Sequence, residues 1–213
     1  MGAKIRLKQG YIYGEVKRLR GARYYFDTVS VTGTANLMMA ATLADGTTVL
    51  ENVAKEPEVV FLGEALNQSG AKINGHGTDL ITIEGVRSLK PIDCHISPDR
   101  IETGTYMIAS AMTGGNIKIT NCLPKQVETL ILKLRQAGVT VKEAETSLRV
   151  ISGGPLNGVN IKTQPHPGFA TDLQAQFMAL MTLARGQSII LETVFENRFM
   201  HVAELNRMGA NIT

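Results

Sequence analysis

Gly70-Ala71-Lys72-Ile73 repeats Gly2-Ala3-Lys4-Ile5 letter for letter, and looser copies stand at residues 138–141 and 209–212. The steps between their glycines are 68, 68 and 71 residues. A fixed period of this size means one supersecondary unit copied along the chain, so the fold reads as an array of such units. Working outward from Gly70, each copy resolves by pattern. Residues 30–44, rich in Ala, Leu and Met, read as a helix closed by Asp45-Gly46. Residues 47–51 are β-branched and read as a strand. Pro57, between Glu56 and Glu58, opens a second helix with its acids at the positive end. Val59, Phe61, Leu62 and Leu66 give that helix its apolar stripe. Residues 71–74 and 80–84 then read as two strands joined by a turn around Gly75-His76-Gly77.

The next copy has the same order: helix 99–113, strand 116–120, helix 124–137, and strands 139–142 and 147–151. Val127, Leu130, Ile131 and Leu134 hold core spacing in its second helix. The third copy has a first helix from Ala170, a strand at 187–191 and a second helix at 198–208. Residues 23–27, 91–96 and 159–163 supply the strand before each first helix. The unit is β-α-β-α-β-β, an α/β (α+β) sandwich with helices on one face of the sheet. Two prolines and little regular pattern in residues 89–98 mark a domain boundary, with 1–96 on one side and 97–213 on the other.

Composition narrows the function. Of 213 residues, 44% are hydrophobic and 19% charged, ordinary for a soluble domain with a real core. A net charge of +3 is too weak to argue for nucleic acid. Lys4, Lys8, Lys17, Arg18 and Arg20, with Tyr11 and Tyr13 among them, read as solvated strand faces or as a nucleic-acid groove. Cys94 and Cys122 sit in no metal-ligand spacing and read as small thiols in a reducing compartment. No apolar run approaches a membrane span and the start shows no signal region, so a cytoplasmic protein is expected.

Three segments could carry chemistry. The first is the turn into each first helix, Val29-Ser30-Val31-Thr32-Gly33-Thr34 and Glu102-Thr103-Gly104-Thr105. Small hydroxyl residues and Gly there cap and pack the helix, or offer amides to an anion. The second is Pro165-His166-Pro167-Gly168-Phe169-Ala170-Thr171-Asp172, where the aspartate reads as a helix cap or dipole partner, or as a general base; pattern alone favours the cap. The third is TVFENRFMH at residues 193–201, which breaks the periodicity. It reads as a capped loop with Phe195 or Phe199 in the core, or as a recognition loop for a polar ligand.

Together these strings resemble the enolpyruvyl transferases, in particular those that act on UDP-N-acetylglucosamine. The resemblance is carried by DTVSV at 27–31, AATLADGTTVLENVAKEPE at 40–58, GAKINGHGTDLITIEGV at 70–86, PDRIETGT at 98–105, PHPGFATDLQAQF at 165–177 and TVFENRFMHVAELNRMGA at 193–210. It implies six β-α-β-α-β-β units forming two inside-out α/β barrels, of which this chain would be a central piece, incomplete at both ends. It implies transfer of the enolpyruvyl group of phosphoenolpyruvate to the sugar 3-hydroxyl with release of phosphate, early in peptidoglycan synthesis, through a tetrahedral phospholactoyl species. No cofactor, metal, membrane or nucleic-acid partner is implied. Asp172 matches the catalytic aspartate that takes the hydroxyl proton. Thr28, Val29, Ser30 and Val31 match the uridine-side segment, Val194 a backbone contact with the nucleotide sugar, and Phe195 and Arg198 the same ligand-side loop. Arg100 and Glu102 match a hinge-side motif.

Thr28 stands where relatives commonly have Lys. A Lys-Asn pair, a mobile loop with a reactive cysteine and several phosphoenolpyruvate-binding arginines of the family have no match here, and neither Cys94 nor Cys122 fits that loop. The chain alone is therefore expected to be inactive. Unpaired strands at its ends would invite association with a second copy, and the rival to the enzyme reading is an RNA-binding module built on the same repeat.

Overall fold

The repeated glycines mark one structural position. Gly70, Gly138 and Gly209 have φ of 99, 96 and 97°, in the left-handed region that a residue without Cβ enters without steric cost. Each closes the second helix of its copy with the same two bonds. The Gly70 N–H reaches the Asn67 carbonyl at 3.0 Å and the Ala71 N–H the Leu66 carbonyl at 2.9 Å. The pairs Gly138–Arg135 and Val139–Leu134, and Gly209–Asn206 and Ala210–Leu205, repeat them, all at 3.0 Å. This double bond is the Schellman termination, which satisfies the last carbonyls of a helix and reverses the chain into a strand.

The computed structural model describes residues 1–213, which divide into two units, Met1–Ser97 and Pro98–Thr213. In the first, β1 (Lys4–Lys8) and β2 (Tyr11–Glu15) form an exposed antiparallel hairpin. A complete repeat follows: β3 (Arg23–Tyr25), α1 (Val31–Ala41), β4 (Thr47–Glu51), α2 (Pro57–Gln68), β5 (Lys72–Asn74) and β6 (Leu80–Glu84). Its sheet runs β3-β4-β6-β5, with β3 parallel to β4 and the other pairs antiparallel. The register sets Thr48 opposite Ile83, Leu50 opposite Ile81 and Ile73 opposite Ile83. These alternate residues share one face of the pleat, and all five are buried, together with Phe26, Met38 and Val59.

The second unit holds α3 (Arg100–Met112), β7 (Asn116–Thr120), a 3-10 turn (Pro124–Val127) leading into α4 (Glu128–Gln136), β8 (Thr140–Glu143) and β9 (Ser147–Ile151). Then come β10 (Ile161–Lys162), a 3-10 turn (Thr171–Leu173) leading into α5 (Gln174–Met181), β11 (Ile190–Leu191) and α6 (His201–Arg207). One core serves both copies: Met107, Leu130, Leu134, Leu148 and Val150 from one copy pack with Ile161, Phe169, Phe177 and Leu180 from the other. Phe169 and Phe177 meet edge to face at 5.3 Å.

Two expectations need correction. Residues 91–96 form no strand, so β7 pairs only with β9 and the sheet has three strands, β7-β9-β8. The alternation Ile92, Cys94, Ile96 imitates a strand, but Ile92 and Ile96 are exposed. A period of two becomes a strand only where a partner edge lies within hydrogen-bonding reach, and Pro91 has no donor to offer one. In the third copy the strands expected at 159–163 and 187–191 shrink to two residues each, paired in parallel, and the helix expected at 198–208 begins only at His201. No helix is long and apolar enough to cross a membrane.

Candidate functional site

The three first helices begin at the same place in the repeat but are built differently. At α1, Ser30 is extended (φ −134°, ψ 117°) and its Oγ accepts the Gly33 N–H at 3.1 Å. The Ser30 carbonyl accepts the Thr34 N–H at 2.9 Å and the Thr34 hydroxyl at 2.7 Å. Thr34 Oγ1 in turn takes the Ala54 N–H at 3.1 Å. Val29 and Val31 pack on the core of the first unit and Thr28 is exposed. Gly33 is required by space, because a Cβ would stand 2.9 Å from both the Phe26 ring and Ser30 Oγ. In this turn the small and hydroxyl residues cap and pack the helix.

At α3, Asp99 Oδ1 accepts the amides of Ile101 at 2.7 Å and Glu102 at 3.2 Å. Gly104 lies against Leu173, whose Cδ1 would stand 2.7 Å from an added Cβ. A glycine here lets α3 pass close beside the turn that leads into α5.

At that turn the pattern breaks. No side chain caps the 3-10 turn Thr171–Leu173 or the helix it feeds. Asp172 therefore makes no cap bond, although it stands in the first turn, where a dipole partner would. Its Oδ1 instead accepts from Arg198 Nη2 at 2.8 Å, with the two side chains 51% and 37% exposed. A pair this exposed adds at most about 1 kcal/mol to stability, so its effect is on geometry.

The loop that delivers Arg198 is held from below by Glu192, just past β11. The carboxylate accepts the Thr163 hydroxyl at 2.7 Å and the Val194 and Phe195 amides at 2.8 and 3.1 Å on Oε1. Its Oε2 accepts the Thr171 hydroxyl at 2.8 Å. Burial alone would raise the Glu192 pKa, but the bonds from Thr163, Val194, Phe195 and Thr171 together outweigh it and hold it below the ordinary carboxylate value. Asn197 then takes a left-handed turn, φ 58°. That turn brings Arg198 back over the exposed ring of Phe195, with the guanidinium carbon 5.1 Å from the ring centre, a cation–π contact. Phe195 is 56% and Phe199 38% exposed, so neither belongs to the core. Beyond the loop, burial and then the Arg198 charge lower the His201 pKa.

Of the residues singled out from sequence, Asp172, Val194, Phe195 and Arg198 come together in the second unit, while Thr28, Val29, Ser30 and Val31 form the α1 turn of the first. Glu192, Thr163 and Thr171 were not singled out. Their only signal was position, a carboxylate at a strand end beside a threonine, which is weak without the fold.

Solved structures place the architecture among the enolpyruvyl transferases. The chain superposes on the enolpyruvyl transferase NikO from Streptomyces tendae with a TM-score of 0.83, at 24% identity, covering 96% of this chain and 52% of that one. It superposes on EPSP synthase from Acinetobacter baumannii with a TM-score of 0.63 at 20% identity, covering 89% and 45%. The family model described as EPSP synthase (3-phosphoshikimate 1-carboxyvinyltransferase) matches residues 1–213, and the chain belongs to that family. Among its curated relatives are proteins named UDP-N-acetylglucosamine 1-carboxyvinyltransferase. Those from Bdellovibrio bacteriovorus and Thermodesulfovibrio yellowstonii are 56% identical over the whole chain, and that from Sorangium cellulosum is 57% identical. The chain spans about half the length of these relatives.

Proposed function

We propose that this chain forms part of an enzyme that transfers the enolpyruvyl group of phosphoenolpyruvate to the 3-hydroxyl of UDP-N-acetylglucosamine and releases phosphate. The observation that carries the reading is the state of Asp172. Its carboxylate sits at a helix start, caps nothing, stays half exposed and is oriented by Arg198 from a loop that also presents Phe195. The 56% identity to relatives bearing the enzyme's name supports it.

In this reading the sugar hydroxyl oxygen bonds to C2 of phosphoenolpyruvate while its proton passes to Asp172, and a general acid outside this chain in the full-length enzyme protonates C3. The resulting tetrahedral adduct then returns one methyl proton to that group and expels phosphate, which leaves with the proton that Asp172 took. A carboxylate within hydrogen-bond reach of the hydroxyl is suited to this role. Arg198 fixes the carboxylate, and Val194, whose N–H is held by Glu192, meets the nucleotide sugar through its carbonyl. Thr28, Val29, Ser30 and Val31 lie on the uridine side. The units 1–97 and 98–213 belong to different domains of the full-length enzyme, which works in the cytoplasm on a cell-wall precursor. The 213-residue chain by itself is inactive.

The test is phosphate release from phosphoenolpyruvate by the full-length enzyme, dependent on UDP-N-acetylglucosamine. Absence of release overturns the reading, as does phosphate release above background by the 213-residue chain for its inactivity. Salt-sensitive RNA binding by this chain, with no thermal stabilisation by UDP-N-acetylglucosamine, would favour the nucleic-acid module instead.

A further inference from the structure

Glu192 touches neither Asp172 nor the exposed face of the loop, yet four hydrogen bonds converge on its carboxylate. They tie together three segments: Thr163 after β10, Thr171 in the turn before α5, and the amides of Val194 and Phe195. Thr163 is fully buried, and its hydroxyl oxygen also accepts the Thr193 N–H at 2.9 Å, so the anchor is set in the core.

The bond to Thr171 has a direction that chemistry fixes. An ionised carboxylate only accepts and a guanidinium only donates. Thr171 Oγ1 lies 2.8 Å from Glu192 Oε2 and 2.9 Å from Arg198 Nη1. Its single proton must therefore go to Glu192, which turns a lone pair to Arg198. The other terminal nitrogen of Arg198, Nη2, holds Asp172. Glu192, Thr171, Arg198 and Asp172 thus form a chain of charge-assisted hydrogen bonds in which Arg198 donates both ways, to Asp172 and to Thr171, and Thr171 donates on to Glu192.

We propose that Glu192 is a positioning residue for the transfer reaction, fixing the Thr171 hydroxyl so that Arg198 is held against Asp172, and setting the backbone of the loop that carries Val194 and Phe195. It rests on the enolpyruvyl transfer reading given above. Glutamine at this position keeps the shape but replaces an acceptor with a donor. With the amide nitrogen toward Thr171, the hydroxyl is met by donors on both sides. With it toward Val194 and Phe195, donor faces donor. One of the two tasks fails in either orientation.

The experiment uses the full-length enzyme, with kcat and KM measured per folded molecule. Wild-type activity is established first, since its absence fails the reaction itself rather than the role of Glu192. Thr171→Val, which breaks the chain but leaves the loop amides held, lowers kcat roughly tenfold with KM for the nucleotide sugar within about twofold. Thr171→Ser restores kcat to within about threefold of wild type, because only the hydroxyl matters. Glu192→Gln lowers kcat roughly tenfold or raises KM for the nucleotide sugar several-fold, according to which of the two tasks its amide breaks. Added to Thr171→Val, it costs little further kcat, because the two residues act through one path. The proposal is overturned if Glu192→Gln keeps both constants within about twofold of wild type. It is equally overturned if Thr171→Ser is as slow as Thr171→Val, if the kcat losses multiply, or if the variants lower only the melting temperature. Should Glu192→Gln not fold, the Val and Ser variants of Thr171 decide alone.

Discussion

The turn into α1 and the turn into α5 are the same position of one repeat, used in opposite ways. At α1 the polar side chain serves the helix: Ser30 caps Gly33, and Gly33 is small because Phe26 lies against it. Asp99 does the same at α3. At α5 the cap position is Ala170, which has no side-chain acceptor, and Asp172 in the first turn faces an arginine from a distant loop. A repeat needs its caps to fold. In the third copy the cap position holds an alanine and the first-turn carboxylate is turned to a distant arginine, so this copy is where chemistry is expected.

The largest expected effect attacks that contrast directly. Asp172→Asn in the full-length enzyme should lower turnover by about 10²–10⁴-fold, the range for removing a general base, with the melting temperature nearly unchanged because no cap is lost. Turnover within a few-fold of wild type would break the comparison. Next, Gly33→Ala should cost about 1–3 kcal/mol in urea unfolding of the first unit, because the new methyl is forced against a buried ring. A neutral result would mean that Phe26 moves aside without strain.

Smaller still, Ser30→Ala and Asp99→Ala should each cost about 1 kcal/mol of stability, the usual value of an N-cap. Asp172→Asn should cost less than about 0.5 kcal/mol, the scale of an exposed residue without a cap. Equal losses at all three positions, by denaturant midpoint, would erase the distinction. The smallest effect is with pH. The folded-state pKa of Glu192 is lowered, so its contribution to stability is present above the unfolded carboxylate value of about 4.3 and is lost as pH falls through the folded value. Melting curves of wild type and Glu192→Gln should differ at neutral pH and converge in acid. A constant gap would mean that Glu192 is not held ionised by its four donors.

Much of the repeat was legible because its signals are local. The glycine after each second helix, the β-branched run of β4, Pro57 at the first turn of α2 and the stripe Val127, Leu130, Ile131, Leu134 all act within a few residues. The failures are non-local. Residues 91–96 alternate like a strand and form none. The short parallel pairing of β10 with β11 joins segments 29 residues apart. Asp172 looked like a cap because a carboxylate at a helix start usually is one, and its partner stands 26 residues further on.

By itself, the sequence determined the period, the order of helices and strands, the glycine that ends each second helix, and the family its strings resemble. Those follow from backbone conformation and side-chain periodicity, which are set by near neighbours. Only the tertiary structure decided that Ser30 and Asp99 cap their helices while Asp172 does not, and that Glu192 and Thr171 stand behind Arg198. Hydrogen-bond partners are chosen by which groups the packed core brings within about 3 Å of one another. No spacing along the chain encodes that distance.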